Sequence, residues 1–573
     1  MLGVAIAAIA LSACSAGTTE PRACDDVERA AAAELGQTCE AITFDLDTWC
    51  APALRRFGRC AMPKASCSSE LGRAVATKAW ASSHAAGTVP SSDLYTTKNA
   101  LGGVFVDAAE IFPAMADAIA AARSEVLLET FEWDPAAFSF DEAWRTDPTM
   151  VLVDGVRRLE RRLKSGPAPA HPVRVYVTLD GRHRSAPDKV GPLAVNKARN
   201  LLRQVASFGG FDPRYVELHV GVHERFGAGG MHSKLLVVDG WRAILTGANP
   251  QRFQTLGSSW HDSGYAILGE AGVAMARNFD DTWRESGEVT ACDLSAPDAD
   301  ARCSVASSKK IPHDAAALAP PLDLAPELSG ACAPVFAATK RAVGLSYPAS
   351  LSLADASNPQ DAATLALFQS AAKVVKVESP NMNARAADEA FAAAKRGVDV
   401  RVVLSFGFNA AAERMSVGPI DGGGSNEDTV RALYARMKKD PSACGKLSVR
   451  WVSKDGARAT TQGEAGSSHV KFLTADGQVG MVGSANQDVT SWFFTRETNV
   501  VVDDAAAVAE MDARVFDADW ARGADVQRWA ASELDRPDAE LAADATLGYL
   551  LGDARAWACD VVTACGGAHP KCR

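Results

Sequence analysis

Apolar residues recur at helical spacing from Phe112 to Ala121, and the largely apolar run 125–131 that follows predicts a short buried strand. A strand at 173–179, a helix at 196–205 and a strand at 216–222 come next, leading into an apolar hairpin at 229–251. The second half repeats the order. Strands are predicted at 371–381, 398–406 and 446–453, helices at 388–397 and 427–437, and then another apolar hairpin within 467–499. Alternating strands and helices predict an α/β architecture, and the repeated order indicates duplication into two α/β lobes.

The polar residues embedded in the hairpins carry the chemistry. In the first, His232 and Lys234 stand two apart, which in a strand puts both side chains on one face. Asp239 and Gly240 reverse the chain, and the return strand delivers Gly247, Ala248 and Asn249. A lysine is a poor zinc ligand and the His-x-x-x-His helix spacing is absent, so this pattern suits an anion such as phosphate better than a metal. One His-x-Lys pair could arise by chance. The second hairpin repeats it at the same offsets: His469, Lys471, Asp476 and Asn486 match His232, Lys234, Asp239 and Asn249. Each copy is also followed by a carboxylate, Asp262 and Glu497.

These residues resemble the duplicated His-x-Lys-x4-Asp motifs of the phospholipase D superfamily and their Gly-Ser-x-Asn tails. The second copy matches through Gly483, Ser484 and Asn486, whereas the first reads Thr246-Gly247-Ala248-Asn249, with Gly247 where serine is commoner. The resemblance covers roughly residues 100–290 and 326–525, and the first lobe looks most like bacterial cardiolipin synthases. It implies two pseudo-twofold-related α/β sandwich lobes, both motifs in one site, and a phosphohistidine intermediate. In that reading His232 attacks phosphorus and His469 protonates the leaving alcohol. Lys234, Lys471, Asn249, Asn486 and Ser484 would hold the phosphoryl oxygens, and Asp262 and Glu497 would orient the histidines. Asp239 and Asp476 are expected to hold the hairpin turns. The resemblance implies no cofactor and no metal. His223 and His261, close to the motif in sequence, are candidates to line the site.

The chain has 573 residues and a net charge of −11, so it is long enough for two or three domains and is not charged like a dedicated nucleic-acid binder. Residues 1–14 read as a signal peptide resembling the lipoprotein type, with Cys14 as the lipidation site, and imply an exported, membrane-anchored or secreted protein of the bacterial envelope. The other twelve cysteines suit an oxidising compartment. If Cys292, Cys303, Cys332 and Cys444 pair among themselves, one bridge must join the odd clusters at the two ends. The expected organisation is a Cys-rich segment (15–70), a linker (71–99), lobe 1 (100–290), a linker (291–325), lobe 2 (326–540) and a Cys-containing tail (541–573). The expected activity is a monomeric phosphodiesterase or phosphatidyltransferase acting on phospholipid head groups, with water or an alcohol as acceptor. The alternatives are a secreted endonuclease, for which the acidic charge makes nucleic acid an unfavoured partner, and an inactive surface-binding protein.

Overall fold

The computed structural model describes residues 62, 66–82, 87–90, 93–181, 192–223, 230–295, 303–311, 328, 331–342, 358–410, 424–537, 540 and 554–572, apart from 257, 458, 461–463 and 465. These fall in the unit Met62–Arg573. The expected signal peptide with Cys14 and most of the expected Cys-rich segment lie outside the described residues.

Among the described residues two nine-stranded mixed sheets carry the fold, beside a small two-stranded sheet of Gln254–Thr255 and Ser258–Ser259. The first runs Cys303–Ser307, Ser286–Cys292, Val216–His223, Val173–Asp180, Glu125–Thr130, Leu235–Val238, Arg242–Thr246, Ser263–Gly269, Asn99–Val106. The second runs Tyr95–Thr96, Val335–Lys340, Glu497–Asp503, Val479–Gly483, Phe472–Ala475, Val374–Ser379, Asp399–Leu404, Leu447–Trp451, Ala524–Asp525. Seven strands of each correspond one to one. Three are parallel and joined by helices, and the motif hairpin then adds antiparallel to the first of them. In lobe 1 the helices Asp107–Ala120 and Pro148–Lys164 press Ile111, Phe112, Met115 and Leu152 onto Val126, Leu128, Val175 and Val177. Asp147 caps the second helix by accepting from the Thr149 and Met150 amides, with Pro148 at its first turn. Arg157, Arg158, Arg161, Arg162 and Lys164 lie on this helix. Arg158 pairs with Asp117 and Arg162 donates to the Ala120 carbonyl, so part of the cluster ties helix to helix.

The segment 71–99, expected as a linker, is instead built into the molecule. Glu70–Ser82 is a helix that buries Val75, Ala79 and Trp80. Thr88 is buried; its hydroxyl donates to Asn278 Oδ1 of lobe 1 at 2.7 Å and accepts from the Thr339 hydroxyl of lobe 2 at 2.6 Å. Tyr95–Thr96 pairs with Val335–Phe336 of the second sheet, and three residues later the chain enters the edge strand of the first. Small and polar residues suggested a linker, but tertiary partners absorb them. The expected linker 291–325 likewise begins as a hairpin, Ser286–Cys292 with Cys303–Ser307, on the edge of lobe 1. The tail contributes the helix Ala554–Val562, which buries Trp557.

The disulfides correct the expected cysteine arithmetic. Cys292 pairs with Cys303, but Cys332 pairs with Cys67 and Cys444 with Cys565, while Cys559 joins Cys572. Each end of the chain is therefore tied to the middle, and no bridge between the ends is required.

Candidate active site

The two motif histidines lie where the lobes are joined through their backbones. The His232 amide donates to the Arg496 carbonyl and the Arg496 amide to the Gly230 carbonyl; the His469 amide donates to the His261 carbonyl and the His261 amide to the Ser467 carbonyl. Each motif thus enters its hairpin alongside the residue that precedes the other lobe's carboxylate. His232 and Lys234 stand just before the ladder Leu235–Val238, and His469 and Lys471 just before Phe472–Ala475, rather than inside the strands as expected. The Thr246 amide still donates to the Lys234 carbonyl, so the first segment runs on from its hairpin.

Because the lobes meet this way, the pairs cross. His232 Nδ1 lies 3.0 Å from Oε1 of Glu497, and His469 Nδ1 lies 2.8 Å from Oδ2 of Asp262. A carboxylate accepts the Nδ1 proton, which fixes the tautomer and leaves Nε2 as each ring's reactive nitrogen. Neither Nε2 has a partner among the described residues, and the side chains keep 12% and 6% of their surface exposed. Burial lowers the pKa of His232 despite Glu497, and burial with the Lys471 charge lowers that of His469 to about 3. Burial alone would raise both carboxylates. His232, Lys234 and the Ser484 hydroxyl outweigh it at Glu497, and Lys471 and His469 outweigh it at Asp262, so both stay ionised at neutral pH.

The lysines are almost wholly buried. Lys234 Nζ donates to the His232 carbonyl at 2.6 Å, and Lys471 donates to that of His469. Burial lowers the pKa of Lys471 to about 8 against the pull of Asp262 and Glu497. Asn249 and Asn486 are buried, each with an amide oxygen that has no hydrogen-bond partner among the described residues, although Asn486 Nδ2 donates to Asp488 at 2.9 Å. Unfilled polar capacity at matching positions of both lobes suits a polar ligand.

The carboxylates are held differently. Ser484, Ser491 and Thr495 hydroxyls donate to Glu497 at 2.5, 2.7 and 2.7 Å. Asp262 instead accepts from Gln254 Nε2 at 3.1 Å and the Ser263 amide at 3.0 Å. Gly247 explains the difference. A Cβ there would come within 2.1 Å of Asp262 Oδ1 and 2.8 Å of Lys471 Cδ, so a serine has no room. Gly483 has φ +149, and a Cβ would meet the Thr498 carbonyl at 2.3 Å, so it too must remain glycine.

Asp239 and Asp476 stand a strand's length from the lysines, at φ +53 and +55 in the hairpin turns. Asp239 accepts from the Arg123 and Ser124 amides, at 2.9 and 2.8 Å; Asp476 accepts from those of Ala372, Lys373 and Val374, at 2.8 to 2.9 Å. Each pins its turn to the start of the neighbouring strand.

Sequence reasoning missed Gln254, Ser491 and Thr495, since only their contact with a carboxylate distinguishes them from other polar residues. It also missed the aromatic rings. Phe131 lies edge-on to His232 with centroids 5.2 Å apart, Trp260 and Phe408 lie 5.2 and 5.8 Å from His469, and Phe253 stacks on Trp260. His261 adjoins the site through its backbone, whereas His223 is buried with Nε2 3.5 Å from Glu285.

A family model described as cardiolipin synthase, PLD-like domain, matches residues 364–520, which hold the second motif. The match covers most of lobe 2 and does not reach the first copy of the motif. Solved structures similar to the chain include phosphatidylserine synthase from Haemophilus influenzae, at 14% identity over 78% of this chain and 89% of that one, with a TM-score of 0.44. Nuc, a phospholipase D family member from Salmonella typhimurium, is 19% identical over 28% of this chain and 87% of its own, with a TM-score of 0.22. NucT from Helicobacter pylori is 14% identical over 34% and 98%, with a TM-score of 0.21. No curated protein matches the chain in sequence.

Proposed function

We propose that the chain is an exported phospholipase D-like enzyme that hydrolyses or exchanges phospholipid head groups through a phosphohistidine. The observation that supports this reading is the crossed pairing, His232 with Glu497 and His469 with Asp262, which orients two imidazoles at the junction of the lobes. In the first step the Nε2 lone pair of His232 forms a P–N bond as the P–O bond to the leaving alcohol breaks. His469, which takes up a proton on Nε2 as the anionic phosphodiester enters beside it, gives that alcohol its proton. In the second step water or another alcohol loses a proton to His469 and attacks phosphorus, and the P–N bond breaks. Positive charge on the phosphorylated ring is best placed on His232, because Glu497 is the carboxylate with three hydroxyl donors. Lys234 and Lys471 neutralise the phosphoryl oxygens.

A lipid substrate is supported by the net charge of −11 and by the rings around the histidines. Phe253, 51% exposed, is the one exposed large hydrophobic among the described residues, and it extends that aromatic surface outward. Four disulfides among the described residues support an oxidising compartment, with Cys14 as the proposed lipid anchor. The test is to incubate the purified chain with mixed phospholipid vesicles in chelator, beside His232→Ala and His469→Ala. Head-group release or exchange is expected, falling about 10³-fold or more in each variant. DNA cleavage without lipid turnover would replace the lipid reading with a nuclease, and inertness to both would refute it.

A further inference from the structure

The pseudo-twofold relation sets two buried carboxylate pairs side by side for comparison. Glu129 pairs in register with Leu235, the residue after Lys234, and Glu378 with Phe472, the residue after Lys471. Arg496 and His261 are likewise equivalent, each preceding a site carboxylate and each bonded through its backbone to the opposite motif. Asp281 and Asp519 lie on the helical segments that follow the carboxylate strands. At the first of these places Arg496 balances the acids: its guanidinium is 2.9 Å from Asp281 and its charge acts on Glu129.

At the second place the shorter His261 stands where the arginine would be. Its Nδ1 is 2.7 Å from Asp107 Oδ1, Ser468 Oγ donates to Glu378 Oε1 at 2.6 Å, and Arg522 donates to Asp519 Oδ1 at 2.5 Å. The opposite atom of each group is left over. His261 Nε2, Glu378 Oε2 and Asp519 Oδ2 are buried without a well-aligned hydrogen bond; Nε2 and Oδ2 form an ion pair at 3.0 Å, and each of the three residues offers a ligand atom within 4.8 Å of the others. Glu378 is fully buried and Asp519 nearly so. Two buried carboxylates need positive charge beside them, which His261 supplies when protonated between Asp107 and Asp519 and which a divalent cation supplies more fully. An outer carboxylate on the far imidazole nitrogen and donors on the far carboxylate oxygens are how proteins aim ligands at a metal.

We propose that His261, Glu378 and Asp519 bind one divalent transition cation of the zinc type through Nε2, Oε2 and Oδ2. One imidazole and two carboxylates suit that ion, whose ligand atoms sit about 2.0–2.2 Å from it. The cation stands apart from the proposed phosphoryl chemistry, because the side chains that hold it are neighbours of Asp262 and His469 rather than those residues themselves. Its role is to brace the seam on which that pair is mounted.

The test needs no turnover. The full chain, stripped with chelator, is titrated with Zn2+ by calorimetry, and with Co2+ by visible absorption. His232→Ala/His469→Ala is measured in parallel, to remove the catalytic imidazoles as binding sites. One equivalent is expected in both chains, with binding at least tenfold weaker in Glu378→Gln and Asp519→Asn. No uptake by the parent overturns the proposal. Uptake unchanged in the cluster variants, or lost in the double histidine variant, overturns it too. The Co2+ spectrum of the double variant tests it even if a cluster variant fails to fold.

Discussion

Among single residues, Asp262 carries the clearest consequence of the crossed geometry. It belongs to lobe 1 by sequence yet serves the histidine of lobe 2, 2.8 Å away. Asp262→Asn keeps the shape but removes the charge that fixes the tautomer, so activity is expected to fall about 10²- to 10⁴-fold. The downfield Nδ1–H resonance of His469 should disappear with it, while that of His232 remains. Lys471 sets the alkaline limit. Below about 8 it is charged and can neutralise a phosphoryl oxygen; above that it is neutral, so kcat/KM of the free enzyme is expected to fall as pH rises through about 8. In Lys471→Arg, which stays protonated, that limb should move out of range even if the maximum is lower. These residues were legible because the motif occurs twice, and neither the crossing nor the depressed lysine was. Both depend on which lobe faces which and how deeply, and residues 207 positions apart, as His469 and Asp262 are, leave no local pattern.

The hairpin and its tail form the element that presents the chemistry, and the two copies are not interchangeable. Restoring the commoner serine in lobe 1, Gly247→Ser, would drive a Cβ into Asp262 and Lys471. Activity is therefore expected to drop more than tenfold, and a variant as active as the parent would show that the space is not closed. The periodicity of the helices and strands was readable because each buries one face on a sheet. The segment 71–99 was not, since Thr88 owes its place to partners in both lobes rather than to its neighbours in sequence. The aspartates of the motifs were legible as turn formers from the Asp-Gly pairs at 239–240 and 476–477, and their bonds to neighbouring strands agree with that role.

Across the whole molecule, cross-links and buried charge hold the lobes in the arrangement the site requires. Cys67–Cys332 closes a span of 265 residues, and Ser68 and Ser69 beside it donate to Asp503, at the end of the strand that begins with Glu497. Replacing both cysteines by serine should cost about 2–4 kcal/mol and lower Tm. Because the bridge lies at the far end of that strand, kcat/KM at 25 °C is expected to stay within about twofold. A large loss of activity without a fall in Tm would contradict that separation. The cysteine number pointed to bridges, but their partners follow from the tertiary path alone. Under the proposed function, two imidazoles divide the displacement into two in-line steps, each inverting phosphorus. The most direct measurement is the stereochemistry of turnover on a phosphodiester made chiral at phosphorus: net retention is predicted, and net inversion would mean direct attack by the acceptor and contradict the account.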